Sequence, residues 1–267
     1  MRKYLLMTAA GLVLAAAVSQ AAEAQVSGTL SGSYANDTSR GGNDLWNVNG
    51  SVTGMVDGNW GLEATAGYHS LGLGGGFGNL DIWNVGGSAF WAGVQGRLAA
   101  TVNYYSTSKF GSDLHVTSYG LGGEFYAGPN LTVAVKGGGN TIDTSGLGFS
   151  TSDSGGYVGG MLQWYVMPDL SLSGAVDYAD FAGLNTTSET AKIEWLFSHT
   201  TPLSVFGGYE HIDASAAGFG GVGNSDIVFA GLKFYFNGEG SDTLVDRQRN
   251  GSLGYIAETP VLGISTN

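Results

Sequence analysis

The stretch "LAATVNYY", Leu98 to Tyr105, sets Leu98, Ala100, Val102 and Tyr104 on alternate positions, with Thr101 and Asn103 between them. The same arrangement recurs in "LEATAGYH" from Leu62, "LSGAVDYA" from Leu172 and "LSVFGGYE" from Leu203. Period two is the mark of a β-strand with two unlike faces. Each copy is apolar on one face, polar on the other, and closes on a tyrosine carried by the apolar face.

Read outward from these copies, the mature chain divides into about twelve such segments. The odd ones run near 26–34, 60–69, 97–105, 131–139, 170–179 and 203–210, and the even ones near 45–56, 82–92, 115–126, 157–166, 189–198 and 226–236. A ten-strand reading stays open at the weak seventh segment, "LTVAVKGGG". Short turn-rich links ("DGN", "AGPN", "MPD") follow the even segments, and longer links rich in Gly, Ser, Asn and Asp ("NDTSRGGND", "LGLGGGFGN") follow the odd ones. Strict alternation of short and long links predicts an all-β, up-and-down antiparallel transmembrane barrel, with tight periplasmic turns and longer extracellular loops.

The aromatic residues fix which face meets lipid. Tyr34, Tyr68, Tyr104, Tyr178 and Tyr209 end strands running toward the long links, and Trp46, Trp83 and Tyr119 begin strands returning from them. Trp91, Phe125, Trp164 and Phe197 lie near the short turns. Two rings of amphipathic aromatics at opposite strand ends match interfacial girdles, so the apolar face points outward and the polar face lines a lumen.

Composition agrees with export to an envelope. Residues 1–24 carry Arg2 and Lys3, an apolar run from Leu5 to Val18, and Ala22-Glu23-Ala24, which together read as a cleaved signal peptide. The barrel is then expected over 25–237 and a periplasmic tail over 238–267. There is no cysteine, the formal charge is -12, and charged residues make up only 12% of the chain. That charge disfavours nucleic acid as a partner, because phosphate binding needs a basic surface. No cofactor is expected, and no Cys/His cluster has structural-metal spacing.

The last strand, "AGLKFYF", resembles the closing-strand signal of Gram-negative outer-membrane barrels through Gly231, Phe234 and Phe236. Ala230 departs from that pattern, in which a polar residue usually precedes the glycine. The chain therefore resembles the outer-membrane porin-like family, of the alphaproteobacterial type. That resemblance implies a bacterial outer-membrane location, contact with lipid and lipopolysaccharide, and folding by the barrel-assembly machinery. It leaves homo-oligomerisation open. Such barrels usually end on the terminal aromatic, whereas here a tail follows. The tail lacks sustained alternation and is expected outside the barrel; "GYIAETPVLGI" is the part that could fold back as a partial plug.

For function, the predicted inner face is dominated by Ser, Thr, Asn, Gly and Ala. Its charges are Glu63, Arg97, Glu124, Lys136, Asp177, Lys192, Glu194, Glu210 and Lys233. A twelve-stranded wall lies between the filled eight-stranded barrel and the wide porins. These features predict a channel for passive diffusion of small hydrophilic solutes, with these charges setting ion preference or simply pairing within the wall. Asp37, Asp44, Asp81 and Asp113 are expected in the outer loops, where bridging cations could link them to lipopolysaccharide. The alternative is a non-channel structural or adhesive surface barrel. An enzyme is disfavoured: outer-membrane phospholipases of twelve strands carry a His-x-Ser pair, and His115 is followed here by Thr117, without a matching Asn. No catalytic residues are assigned.

Overall fold

The computed structural model describes residues 26–39, 43–73, 78–109, 112–146, 149–181, 183–198, 200–216, 220–236 and 242–260. The signal-peptide segment lies outside them. Twelve strands form one closed antiparallel barrel in which each pairs with its chain neighbours, and the last pairs with the first. They are β1 Val26–Asp37, β2 Asn43–Asp57, β3 Trp60–Leu73, β4 Gly78–Gly93, β5 Gly96–Lys109 and β6 Ser112–Tyr126. The second half comprises β7 Leu131–Gly146, β8 Phe149–Met167, β9 Leu170–Phe181, β10 Leu184–Ser198, β11 Leu203–Ala216 and β12 Gly220–Phe236. The "LTVAVKGGG" segment is a full member, paired with β6 and β8 over its whole length. Closure gives every strand a neighbour on both sides, as a lipid environment requires, while the outer part of β8, Phe149–Gly156, pairs with β7 alone.

The faces follow the two-residue period. Leu30, Val48, Leu98, Val102, Leu121, Val135, Leu162, Val176, Ile193 and Leu232 are all exposed on the outer wall. Serines, threonines and charged residues at the intervening positions are buried inside it. Gly231 illustrates why β12 carries glycine where it closes the barrel. A Cβ there would lie 2.5 Å from the Gly32 carbonyl oxygen of β1 and 2.5 Å from the Phe206 ring of β11.

At the end opposite the short turns, the structure corrects the expected long loops. The ladders continue through the Gly- and Ser-rich segments: β7 and β8 remain in register from Leu131↔Trp164 out to Gly146↔Phe149. Outside a bilayer, a strand needs only its backbone partners satisfied, and small polar side chains serve as well as apolar ones. Asp37, Asp44, Asp81 and Asp113 accordingly lie in strands rather than loops. Asp44 accepts from the Tyr34 hydroxyl, and Asp81 accepts from Ser70 Oγ at 2.8 Å.

After β12 the chain returns into the barrel. Helix α1, Leu244–Asn250, starts at Thr243, whose Oγ1 accepts from the Asp246 amide at 3.2 Å. A 3-10 turn, Gly254–Ala257, follows. Leu253, Tyr255, Ile256 and Ala257 are buried in one apolar cluster with Phe90, Ala99 and Ala134 of the inner wall. The stretch expected outside the barrel is thus, over residues 242–260, its filling. Period two does not mark it, and its partners, apolar and polar, lie on wall strands far away in sequence, as the alternative plug reading of "GYIAETPVLGI" implied.

Candidate functional site: the lumen and its C-terminal filling

Each charged residue assigned to the lumen faces inward, and the fold gathers most of them into pairs. Arg97 on β5 and Glu124 on β6 face each other across the ladder, with Nη2 and Nε 2.8 and 3.0 Å from one carboxylate oxygen. Lys136 on β7 is 3.1 Å from Asp177 on β9. Glu194 on β10 stands between Lys192, at 3.4 Å, and Lys233 of β12, at 3.6 Å. Glu63 accepts from Thr53 Oγ1 at 2.8 Å, and Glu210 is buried on β11.

The tail engages Arg97, Glu63, Glu194, Asp177 and Lys136 among them. Arg97 donates to three tail carbonyls: Gly251 at 2.8 Å, Gln248 at 2.9 Å and Ser252 at 3.2 Å. Glu63 accepts from the Leu253 amide at 2.7 Å. Gln248 donates to Glu194 at 3.3 Å and accepts from Gln163 at 2.8 Å. The wall also donates to the far end of the tail, from Asn103 Nδ2 to the Ala257 carbonyl at 3.0 Å and to Thr259 Oγ1 at 3.1 Å. Near the short turns, Arg249 donates to the carbonyls of Gly128 and Leu131, both at 3.1 Å. The tail therefore enters at the short-turn end and climbs the wall formed by β5 to β9.

Why this wall receives it is legible in the side chains. Gly122 of β6 lets the 3-10 turn lie flat, since a Cβ there would stand 2.8 Å from Ile256 Cβ. Buried carbonyls of an irregular segment need donors, and Arg97 and Asn103 supply them. Glu258 extends into the remaining space, where withdrawal from water pushes its carboxyl up to about 7 against the opposing pull of Lys136, Lys233 and Lys192.

Beside the tail a cavity of about 130 Å³ remains. Thr29, Ser31, Asn49, Ser173, Lys192 and Lys233 of the wall line it, with Arg247, Gln248 and Glu258 of the tail. Toward the opposite end, the inner wall departs from the polar lining expected from the sequence. Ile82, Tyr105, Val116, Tyr157 and Phe181 form one buried cluster, and Leu45, Ile212 and Ile227 belong to another. These positions share the inward parity but carry apolar side chains, which pack across the bore instead of lining it with polar groups.

The aromatic residues expected to form girdles lie on the outer face. Trp46, Tyr119, Phe125, Trp164, Phe197 and Tyr209 are exposed on the outer wall, as are Tyr34, Trp91 and Tyr178. Tyr68, Trp83 and Tyr104 share that parity and are half-buried. Trp83 lies 5.4 Å from Tyr104, ring centre to ring centre. Phe234 and Phe236 of the closing-strand signal stack at 6.4 Å on the outer face of β12. His115 faces the Tyr104 hydroxyl at 2.9 Å.

No protein-family model matches the chain, and no curated protein matches it in sequence. Among solved structures it is similar to the KdgM porin, with a TM-score of 0.52 and 9% identity, covering 78% of this chain and 99% of that one. It is equally similar to the NanC porin, with a TM-score of 0.52 and 9% identity over 78% of this chain and 98% of that one. What the chain shares with these porins is their architecture, a single closed barrel wall of nearly their full length.

Proposed function

We propose that the chain is an outer-membrane, porin-like channel for passive diffusion of small hydrophilic solutes, narrowed by its own C-terminal segment. The observation that carries this reading is the asymmetric lumen. One wall is sealed by the tail, while Thr29, Ser31, Asn49 and Ser173 line a polar space beside it. Small hydroxyl and amide side chains replace the hydration of a passing solute without holding it tightly. The charges held in pairs stiffen the wall, and those left facing the space set a weak ion preference. Chemistry on bound substrates has no part in this reading.

The apolar clusters around Phe181 and Ile227 favour a second reading, a shut barrel whose projecting hairpins form a structural or adhesive surface. Single-channel recording of the full chain in a planar bilayer separates the two, followed by the same recording after removal of residues 238–267. Stepwise currents that grow on removal support the channel. A folded barrel that stays silent in both forms supports the surface role.

A further inference from the structure

Glu194 is a crowded carboxylate. Its Oε1 accepts from Ser204 at 2.8 Å and from the Tyr235 hydroxyl at 2.5 Å, while Oε2 accepts from Gln248 at 3.3 Å. Lys192 and Lys233 both reach that same Oε2, at 3.4 and 3.6 Å. These separations exceed the roughly 2.7–2.9 Å of a charge-assisted hydrogen bond. Each ammonium carries three donors and no acceptor, so a single shared carboxylate oxygen does not use up either set, and both lysines line the cavity. The Phe206 ring lies 5.7 Å from each Nζ and fills the wall between the two.

The tail completes this arrangement from the opposite side. Arg247 of α1 lines the same cavity, and its Nε is buried without a hydrogen-bond partner among the described residues. A buried donor left unmade is costly and invites an acceptor. Lys192 of β10, Lys233 of β12 and Arg247 of α1 thus line one cavity, and Arg249, also on its lining, is engaged by the carbonyls of Gly128 and Leu131. The tail carboxylate facing it is Glu258, with Glu63 and Glu124 elsewhere on the lining engaged by Leu253 and Arg97. Asp177 is held by Lys136 and Tyr255, and Glu210 is buried and partnered.

We propose that Lys192, Lys233 and Arg247 form a subsite for a small carboxylate solute, and that Glu258 of the docked tail competes for it. The proposal rests on the channel reading for how the solute arrives, and it names the solute class that reading leaves open. A carboxylate fits because its two oxygens accept from separate cations without any donor of its own that would meet another donor. A neutral polyol offers hydroxyl dipoles in place of charge and gains far less from the same three groups.

The test is equilibrium binding of lactate to the full-length folded barrel in detergent, read by saturation-transfer NMR. Propane-1,2-diol is the neutral counterpart, differing only in the carboxylate. Lactate is expected to bind saturably and the diol not. Lys192→Gln with Lys233→Gln should weaken lactate by at least about tenfold, as expected for loss of two charge-assisted contacts. At about pH 8, above the raised Glu258 value, Glu258→Gln should strengthen it, since the competing charge is gone; heat-modifiable gel mobility verifies the fold of each variant. Equal binding of lactate and diol, or a lysine double variant that binds as well as the parent, overturns the site. A Glu258→Gln variant with unchanged or weaker binding overturns the competition. A barrel that binds lactate yet carries no current overturns the channel reading and leaves the site standing.

Discussion

The Tyr255 hydroxyl donates to Asp177 Oδ1 at 2.8 Å, the same oxygen that Lys136 approaches at 3.1 Å, and Lys136 Nζ sits 3.8 Å above the Tyr255 ring. One tail residue is thereby locked to two strands by a hydrogen bond and a cation–π contact. Tyr255→Phe keeps the ring and removes the hydroxyl. A hydrogen bond to a charged group is worth about 1.5–3 kcal/mol, so docking of residues 242–260 should weaken by that order. Hydrogen exchange of the Leu253–Ala257 amides should quicken while the barrel strands stay protected.

Gly122 tests the docking from the wall side. An alanine methyl there would lie 2.8 Å from Ile256 Cβ and 3.0 Å from its carbonyl oxygen. The β6 backbone is held by two ladders, so the tail yields first. Gly122→Ala should raise protease cleavage within 242–260 and leave the heat-modifiable mobility of the barrel unchanged. A barrel that unfolds instead would show that the wall depends on its filling.

Docking should also respond to pH. The Glu258 carboxyl is raised from 4.5 to about 7 in the docked tail. A group that binds its proton more tightly when docked stabilises docking fully below its ordinary value and loses that contribution as pH rises through the raised one. Tail exchange should therefore quicken between about pH 5 and about pH 8 and level off above that. Glu258→Gln should flatten the profile, and a slope that survives the substitution would assign it to another group.

The outer wall makes a separate prediction. Val102 is 51% exposed near the middle of β5, in the apolar band. Val102→Arg should destabilise the barrel by about 2–4 kcal/mol in lipid, the cost of a basic side chain at mid-membrane depth. Urea titration in lipid vesicles measures it. A neutral outcome would mean that this face of β5 meets protein or water instead.

Leu98 to Tyr105 shows how much could be read directly. Parity and the tyrosine's side of the wall follow from period two, whereas the strand itself runs on past Tyr105 to Lys109. The inward charges were legible for the same reason, while Gly231 was marked only by the resemblance of the last strand to a closing-strand signal. What parity could not convey is chemistry across the bore. Ile82 and Phe181 occupy inward positions as surely as Thr101 does, yet they pack against neighbours from other strands. The tail was opaque for a related reason. Its local signals are the apolar stretch "GYIAETPVLGI" and Thr243 with Asp246, a capping pattern at the start of α1. Arg97 binds carbonyls more than 150 residues away. No window of sequence contains both partners.

The position of the filling has a consequence for biogenesis. Residues 242–260 follow β12, and β12 forms an ordinary antiparallel seam with β1, from Gly28↔Phe236 to Asp37↔Ile227. The filling enters at the end where β12 finishes, so the wall can zip shut around an empty bore and be stoppered afterwards from behind. If closure runs in that order, a nascent copy would pass through a hollow stage. On the channel reading, a copy clipped after Phe236 would be an unstoppered barrel.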